Sequence, residues 1–525
     1  MGGHVELVVL FLLVSVAALT ALARLLRVPY PILLLLGGSI VGFAPGVPDV
    51  QLEPDLVLLI FLPPLLFNAA YFSSVRDLRY HARAITLTAI GLVLVTASSV
   101  ALVAHAAIDG LPWAAAFALG AIVSPTDPLA ATAIARRLNV PRRLTVVIEG
   151  ESLVNDGTAL VAYRTAVSAA VGGSFDLLDA TGDFVVNVAG GIAIGIVAGL
   201  VLVQVFRRIV DDDLVGVVTS LAAGYIAYIP AEEIGVSGVL AAVTVGLIVG
   251  YHSPDISTPA SRLRGYGFWE VLVHLLNAVL FVLVGLQLPG ILSAQERSAG
   301  ELIALAALTG AVVVGTRLLW VNTVPYLLRA IDRRPSQVAR RVGWRGRFIA
   351  GWSGLRGSVS LAAALALPHG FPERDLLIFL TLAVIFATLV VQGLTLPYVI
   401  RRLDVQDDGG GEREELHARR EAAQAAIAHL RRLGDEDWTR DDSVDRMIRY
   451  YEFRDRRLSQ RAGELDGDEE DDLDERSRGY QRLVREVLDA QRRRVVELRN
   501  EGAISDDVMH ALERELDLED QRLEI

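Results

Sequence analysis

Residues 149–156 read Glu-Gly-Glu-Ser-Leu-Val-Asn-Asp, inside an otherwise apolar segment, 143–171, long enough to cross a bilayer. Three carboxylates in eight residues are ordinary on a solvated helix. In hydrocarbon they are costly, and each must be paired, coordinate a cation or hold a proton. The stretch therefore points to a membrane protein whose function is built around Asp156, Asn155, Ser152 and Glu151.

The surrounding chain agrees. It is 53% hydrophobic with mean hydropathy +0.44, yet 21% of its 525 residues are charged. That combination fits a chain divided into an apolar and a very polar part. From 403 to 525 there are 36 acids and 22 Arg; residues 1–402 hold 25 acids and 27 Arg. The net charge of −12 thus belongs to the tail and disfavours a nucleic-acid partner. The absence of Cys excludes disulfides and thiol chemistry. Every basic residue is Arg, so a phosphate loop, which needs Lys, is excluded too. No Ser/His/Asp triad or His-x-x-x-His pair argues for an intramembrane enzyme.

A helix needs about 20 apolar residues to cross the membrane core. Thirteen candidates can be read: 5–26, 30–46, 55–72, 84–108, 112–135, 143–171, 184–206, 214–229, 234–250, 269–289, 301–328, 347–368 and 375–400. The first resembles a signal peptide at Ala21-Leu22-Ala23, but it has no Arg before its apolar run and is expected to be retained. Alternate loops (24–29, 76–83, 136–143, 207–213, 262–264, 329–347) hold 20 Arg, and the other set holds only Arg297 and Arg374. The bias of Arg toward cytoplasmic loops predicts the N-terminus outside and the tail inside.

Thirteen spans permit two inverted six-helix repeats related across span 7, a common transporter construction. Span 5 would then match span 12, and both are expected to be broken. Span 5 carries Ser124-Pro-Thr-Asp-Pro128, and span 12 carries Gly351-Trp-Ser-Gly-Leu-Arg-Gly357. Proline removes an amide, and clustered glycine weakens a helix. Each break carries a charge, Asp127 or Arg356. Freed backbone groups are tolerated in lipid only where they line a cavity or are satisfied by neighbours. The expected fold is an all-α polytopic domain, 1–402, followed by an acidic helical cytoplasmic tail, 403–525.

Asp127 and Asp156 each lie 15 residues into their spans, roughly 22 Å along the helix and near mid-membrane. Ser152 and Asp156 share one helical face; Glu151 and Asn155 share the next. Hydroxyl and carboxylate oxygens suit Na+ or Li+ and lack the His/Cys set of a transition-metal site. Desolvation also favours a proton on such a carboxylate. Proton and cation exclude each other, so a carboxylate reachable from one side at a time exchanges them. Two intramembrane Arg, Arg317 and Arg356, cannot neutralise Asp127, Glu149, Glu151 and Asp156 together.

The run Glu151-Ser-Leu-Val-Asn-Asp156, the Ser124–Pro128 break and Gly354-Leu-Arg-Gly357 together resemble the cation:proton antiporter-1 family of bacterial and animal Na+/H+ exchangers. The resemblance covers most of residues 1–402. It implies a plasma-membrane homodimer with no cofactor, exchanging Na+ or Li+ for H+. Asp156 would be the shared carboxylate, Asn155 its partner and Ser152 a Na+ ligand. Thr126 would ligate Na+ through its backbone, and Asp127 would support the site. Glu151 would form a structural ion pair with Arg317, Arg356 being the competing partner. The Asn-Asp pair implies electroneutral exchange, and a second Asp at 155 would imply an electrogenic one. Relatives often carry an acid where this chain has Asn68, which offers a carbonyl oxygen without charge. A K+/H+ exchanger of the same fold and, in another class, a cation channel are the alternatives.

Glu270, His274 and Asn277 at i, i+4, i+7 read better as a satisfied interfacial helix end than as a proton path. Arg164 is expected to snorkel to the interface, and His105 to sit there. In the tail, Leu483, Val484, Val487 and Leu488 predict amphipathic helices, interrupted by a solvated loop at Asp466–Glu475. A regulatory or dimer-stabilising role and a plain soluble appendage fit that tail equally.

Overall fold

The computed structural model describes residues 2–26, 28–44, 54–172, 177–208, 212–331, 342–405, 407, 409–436, 438–461 and 467–521. The chain divides into two compact units, Met1–Asp407 and Asp408–Ile525. All regular structure among the described residues is helical.

The first unit begins with α1 (Gly2–Leu26), α2 (Tyr30–Gly42), α3 (Pro54–Tyr71) and α4 (Val75–Ala107, with a π turn at Leu87–Leu92). The fifth expected span is two helices, α5 (Trp113–Val123) and α6 (Leu129–Arg137), separated at Ser124–Pro128. Then come α7 (Arg142–Gly172), α8 (Leu177–Arg208), α9 (Asp213–Ile234), α10 (Gly238–Ile256), α11 (Pro259–Leu286), the short α12 (Leu288–Ser293) and α13 (Ala299–Ile331). The twelfth expected span is also two helices, α14 (Trp344–Trp352) and α15 (Ser358–Leu365). α16 (Arg374–Leu403) closes the unit, with a second π turn at Ala387–Gln392.

Among the described residues, seven stretches are long and apolar enough to cross a membrane: Val75–Ala107, Gly182–Arg208, Asp213–Ile234, Gly238–Ile256, Pro259–Ser293, Ala299–Leu327 and Arg374–Leu403. Shorter apolar helices, such as Tyr30–Gly42 and Trp113–Val123, add to them. α7 is absent from both groups because its carboxylates lower its hydropathy. That polarity is buried against protein: Leu144, Ile148, Leu153 and Val161 are each under 5% exposed. The first unit runs a few residues past 402, to Asp407, whose amide donates to the Asn139 carbonyl at 3.1 Å. Loop residues 332–341, which supply several of the Arg used for orientation, lie outside the described residues.

The second unit pairs α17 (Gly410–Leu433) with α18 (Asp441–Arg461) over Leu416, Ala423, Ile427, Leu430 and Leu458. α19 (Gly467–Asn500) pairs with α20 (Asp506–Gln521), where Arg492 bonds Asp517 at 2.9 Å and Asp520 at 3.0 Å. The expected solvated loop at Asp466–Glu475 is corrected. Residues 467–475 are the first turns of α19, where acids favour a helix N-terminus.

α5 packs closely on α4. A Cβ at Gly120 would lie 2.2 Å from the Ala97 carbonyl oxygen. Gly120→Ala therefore forces these helices apart, and we expect a loss of about 1–3 kcal/mol, read as a lower unfolding temperature in detergent; unchanged melting would refute this contact.

Candidate functional site

Both helix breaks fall at one place. The Asp127 amide donates to the Leu355 carbonyl at 2.8 Å, and Arg356 Nη1 donates to the Pro125 carbonyl at 3.2 Å. The Arg356 amide donates to Thr388 Oγ1 at 3.1 Å, on the π turn of α16. Polar backbone groups freed by Pro125, Pro128, Gly354 and Gly357 are thus satisfied across the crossing. A Cβ at Gly357 would lie 2.1 Å from Asp127 Oδ2, so the close approach requires glycine. Asp127 Oδ1 accepts the Leu129 amide at 2.9 Å and so caps the first turn of α6.

α7 lies against this crossing. Ser152 Oγ donates to the Thr126 carbonyl at 2.7 Å, and Asn155 Nδ2 donates to Thr126 Oγ1 at 2.9 Å. Thr126 Oγ1 in turn donates to Glu151 Oε1 at 3.2 Å. Glu151 takes a two-pronged ion pair from Arg317 on α13, both residues being 3% exposed. Arg317 also donates to the Gly351 and Ala350 carbonyls, at 3.2 and 3.1 Å. Glu151 therefore pairs with Arg317. Arg356 is directed instead to Pro125, and its Nε finds no partner. Asp156 makes no hydrogen bond or ion pair with any described residue, so no guanidinium locks it.

Asp156 faces a cavity of about 570 Å³. Thr126, Asp127, Ser152 and Asn68 also line it. Asn155, Glu151, Arg317 and Arg356 do not: they stand behind the wall and hold it. Asn155, 1% exposed, touches the lining through Thr126, and its Oδ1 has no partner among the described residues. The lining continues to Phe72, Ser73, Arg136 and Tyr266, at the ends of helices that adjoin the Arg-rich loops. Ile122, Phe281 and Leu361, each 1% exposed, belong to the packed core of this unit.

Three expectations change. Glu149, counted among the intramembrane acids competing for Arg317 and Arg356, is 31% exposed and bonds Arg136 at 2.7 Å. Arg164 does not snorkel freely; it pairs with Glu232, whose Oε1 also accepts the Gly238 amide at 2.9 Å. Glu270, His274 and Asn277 are not an interfacial helix end: α11 begins at Pro259, and all three line the cavity. Tyr30, also in the lining, packs against His274 with ring centres 4.7 Å apart and the planes tilted by 57°. No motif marked it in the sequence. His105 Nδ1 donates to the Leu111 carbonyl at 2.7 Å, and the ring stacks on Trp113.

Two crossed broken helices around a free carboxylate define an ion-coupled membrane transporter. Residues 11–402 match the transmembrane sodium/hydrogen exchanger family, and the chain belongs to that family. An uncharacterised Na+/H+ exchanger of Mycobacterium tuberculosis is 38% identical, over 98% of this chain and 96% of its own. A sodium, potassium, lithium and rubidium/H+ antiporter of Bacillus pumilus is 32% identical, over 83% of this chain and 67% of its own. The structure of the sodium proton antiporter MjNhaP1 from Methanocaldococcus jannaschii at pH 8 superposes with a TM-score of 0.59 at 18% identity, covering 76% of this chain and 99% of that one. At that identity the likeness concerns the fold.

Removing one partner of the Glu151–Arg317 pair strands a buried charge. Arg317→Met should cost about 3–5 kcal/mol, and Glu151→Gln added to it should recover most of that loss. Thermal melts of the single and double variants in detergent measure both effects; additive losses would show that the two do not act as a pair.

Proposed function

We propose that this chain is a secondary active antiporter that exchanges Na+ or Li+ for H+, with Asp156 as the carboxylate the two ions occupy in turn. Asp156, which lines the cavity and has no hydrogen bond or ion pair among the described residues, carries this reading. A hard-oxygen set of Asp156 carboxylate, Ser152 hydroxyl and Thr126 carbonyl suits a small monovalent cation. The relatives, an Na+/H+ exchanger and a sodium, potassium, lithium and rubidium/H+ antiporter by name, point the same way.

Charge accounts for the coupling. Arg317 and Arg356 face three carboxylates, Glu151, Asp127 and Asp156, which leaves one negative charge when all are ionised. Carrying that charge through a low-dielectric barrier is costly. One proton or one Na+ cancels it, so only the loaded site reorients, and exchange is one for one and electroneutral. Asn155 supports this stoichiometry because an amide adds no second titrating charge. The thirteen helical segments cross the plasma membrane with the N-terminus outside. The cavity then opens to the cytoplasm, alternating access exposes Asp156 to the other side, and the acidic tail is cytoplasmic. A homodimer is the assembly the family resemblance favours. A broader cation range including K+ is the second reading, favoured by the Bacillus pumilus relative.

In proteoliposomes with an imposed pH gradient, adding Na+ or Li+ should dissipate the gradient. Asp156→Asn should abolish that response; exchange persisting in this variant would end the assignment. Competition also has a sign. Lowering the pH should raise the apparent KM for Na+ while leaving the maximal rate at saturating Na+ unchanged, and a KM independent of pH would separate the two sites. Asn155→Asp should make the flux respond to membrane potential, read with a potassium diffusion potential.

A further inference from the structure

The cavity has two polar ladders, and the exchange chemistry uses only one. On α7, Glu149 lies six residues past Arg143, at the end of its Arg-rich loop, and seven before Asp156. On α11, Glu270 lies six residues past Arg264 and seven before Asn277. Both helices run inward from Arg-rich loops, so each ladder carries a carboxylate near the mouth and a polar group about 10 Å deeper. Both carboxylates and both deep groups line the same cavity.

The two mouths differ in charge. Glu149 is neutralised by Arg136 at 2.7 Å. Glu270 is exposed and makes no hydrogen bond or ion pair with any described residue. At the deep end, Asn277 is 3% exposed, and its Nδ2 is spent on the Val273 carbonyl at 2.8 Å, so its Oδ1 is left to the cavity. His274, between them, contacts Thr20 at 3.4 Å and Tyr30, which pins this face of α11 against α1 and α2.

We propose that Glu270 is a capture carboxylate, which draws a hydrated monovalent cation into the funnel and passes it along the Asn277 wall toward Asp156. Arg136 sets the strength of that capture by cancelling Glu149. This rests on the exchanger reading and assigns Glu270 to cation capture, not to the exchange step. A negative charge in a low-dielectric cleft concentrates cations and speeds their arrival, and salt screens the effect.

The test uses everted membrane vesicles, where the Arg-rich face meets the added Na+. Glu270→Gln should raise the apparent KM for Na+ about tenfold at low ionic strength, with kcat unchanged. The difference should collapse in about 0.5 M choline chloride. Glu270→Asp should keep the wild-type KM, and Arg136→Gln should lower it by unmasking Glu149. In right-side-out vesicles, with Na+ offered to the opposite face, all variants should match the wild type. Arg136 is 72% exposed, so its variant carries the test even if Glu270→Gln reaches the membrane poorly. A wild-type KM in Glu270→Gln, a change equal from both faces, or one that survives choline overturns the proposal. Wild-type vesicles without Na+-driven proton flux instead overturn the exchanger reading, and the capture role falls with it.

Discussion

Two interrupted helices satisfy each other's backbone, and the rest of the transmembrane unit depends on that exchange of hydrogen bonds. In hydrocarbon, a broken helix exposes amides and carbonyls that lipid cannot satisfy. Here the Asp127 amide meets the Leu355 carbonyl and the Arg356 guanidinium meets the Pro125 carbonyl. Because each break supplies what the other lacks, their relative position has little freedom. The crossing in turn places the Thr126 carbonyl against Ser152 and the Asp127 carboxylate at the start of α6. The Thr126 carbonyl and the Asp127 carboxylate are thereby held in place by hydrogen bonds from Ser152 and the Leu129 amide.

The second constraint is how a few charges are divided in a medium of low dielectric. Arg317 gives its guanidinium to Glu151 and two backbone carbonyls, and the space it fills exists because residue 354 is glycine: a Cβ there would lie 2.3 Å from Arg317 Cδ. Arg356 donates to the Pro125 carbonyl just past α5, near the negative end of that half-helix dipole. With both guanidinium groups committed, Asp156 has no ionic partner among the described residues and lines the cavity instead. A structural ion pair and a free carboxylate sit five residues apart on one helix. They differ because one points into packed protein and the other into the cavity.

Much of this was legible in the chain. Hydropathy located the helical segments, since apolar length is a local property, and Pro125, Pro128, Gly354 and Gly357 marked the breaks because each acts on its own backbone. Glu151, Asn155 and Asp156 stood out as polar residues in an apolar run. What misled was equally physical. Glu149 looked as buried as Glu151 because depth along a helix does not report which side faces a cavity. Glu270, His274 and Asn277 looked interfacial because the apolar stretch starts near them, whereas the helix begins ten residues earlier. The acidic run after residue 466 looked like a loop because composition does not register that acids suit a helix start.

By itself, then, the sequence determined the helical membrane class, the two breaks and the family, and it marked Asp156 as a polar residue in an apolar run. Those depend on local composition and backbone chemistry. Only the tertiary structure decided that Arg317 takes Glu151, that Arg136 takes Glu149, that Asn155 stands behind the wall, and that α11 lends its polar face to the cavity. Each of these is a contact between segments far apart in the chain, set by how helices pack and which face is turned inward, and spacing along one helix carries no record of that.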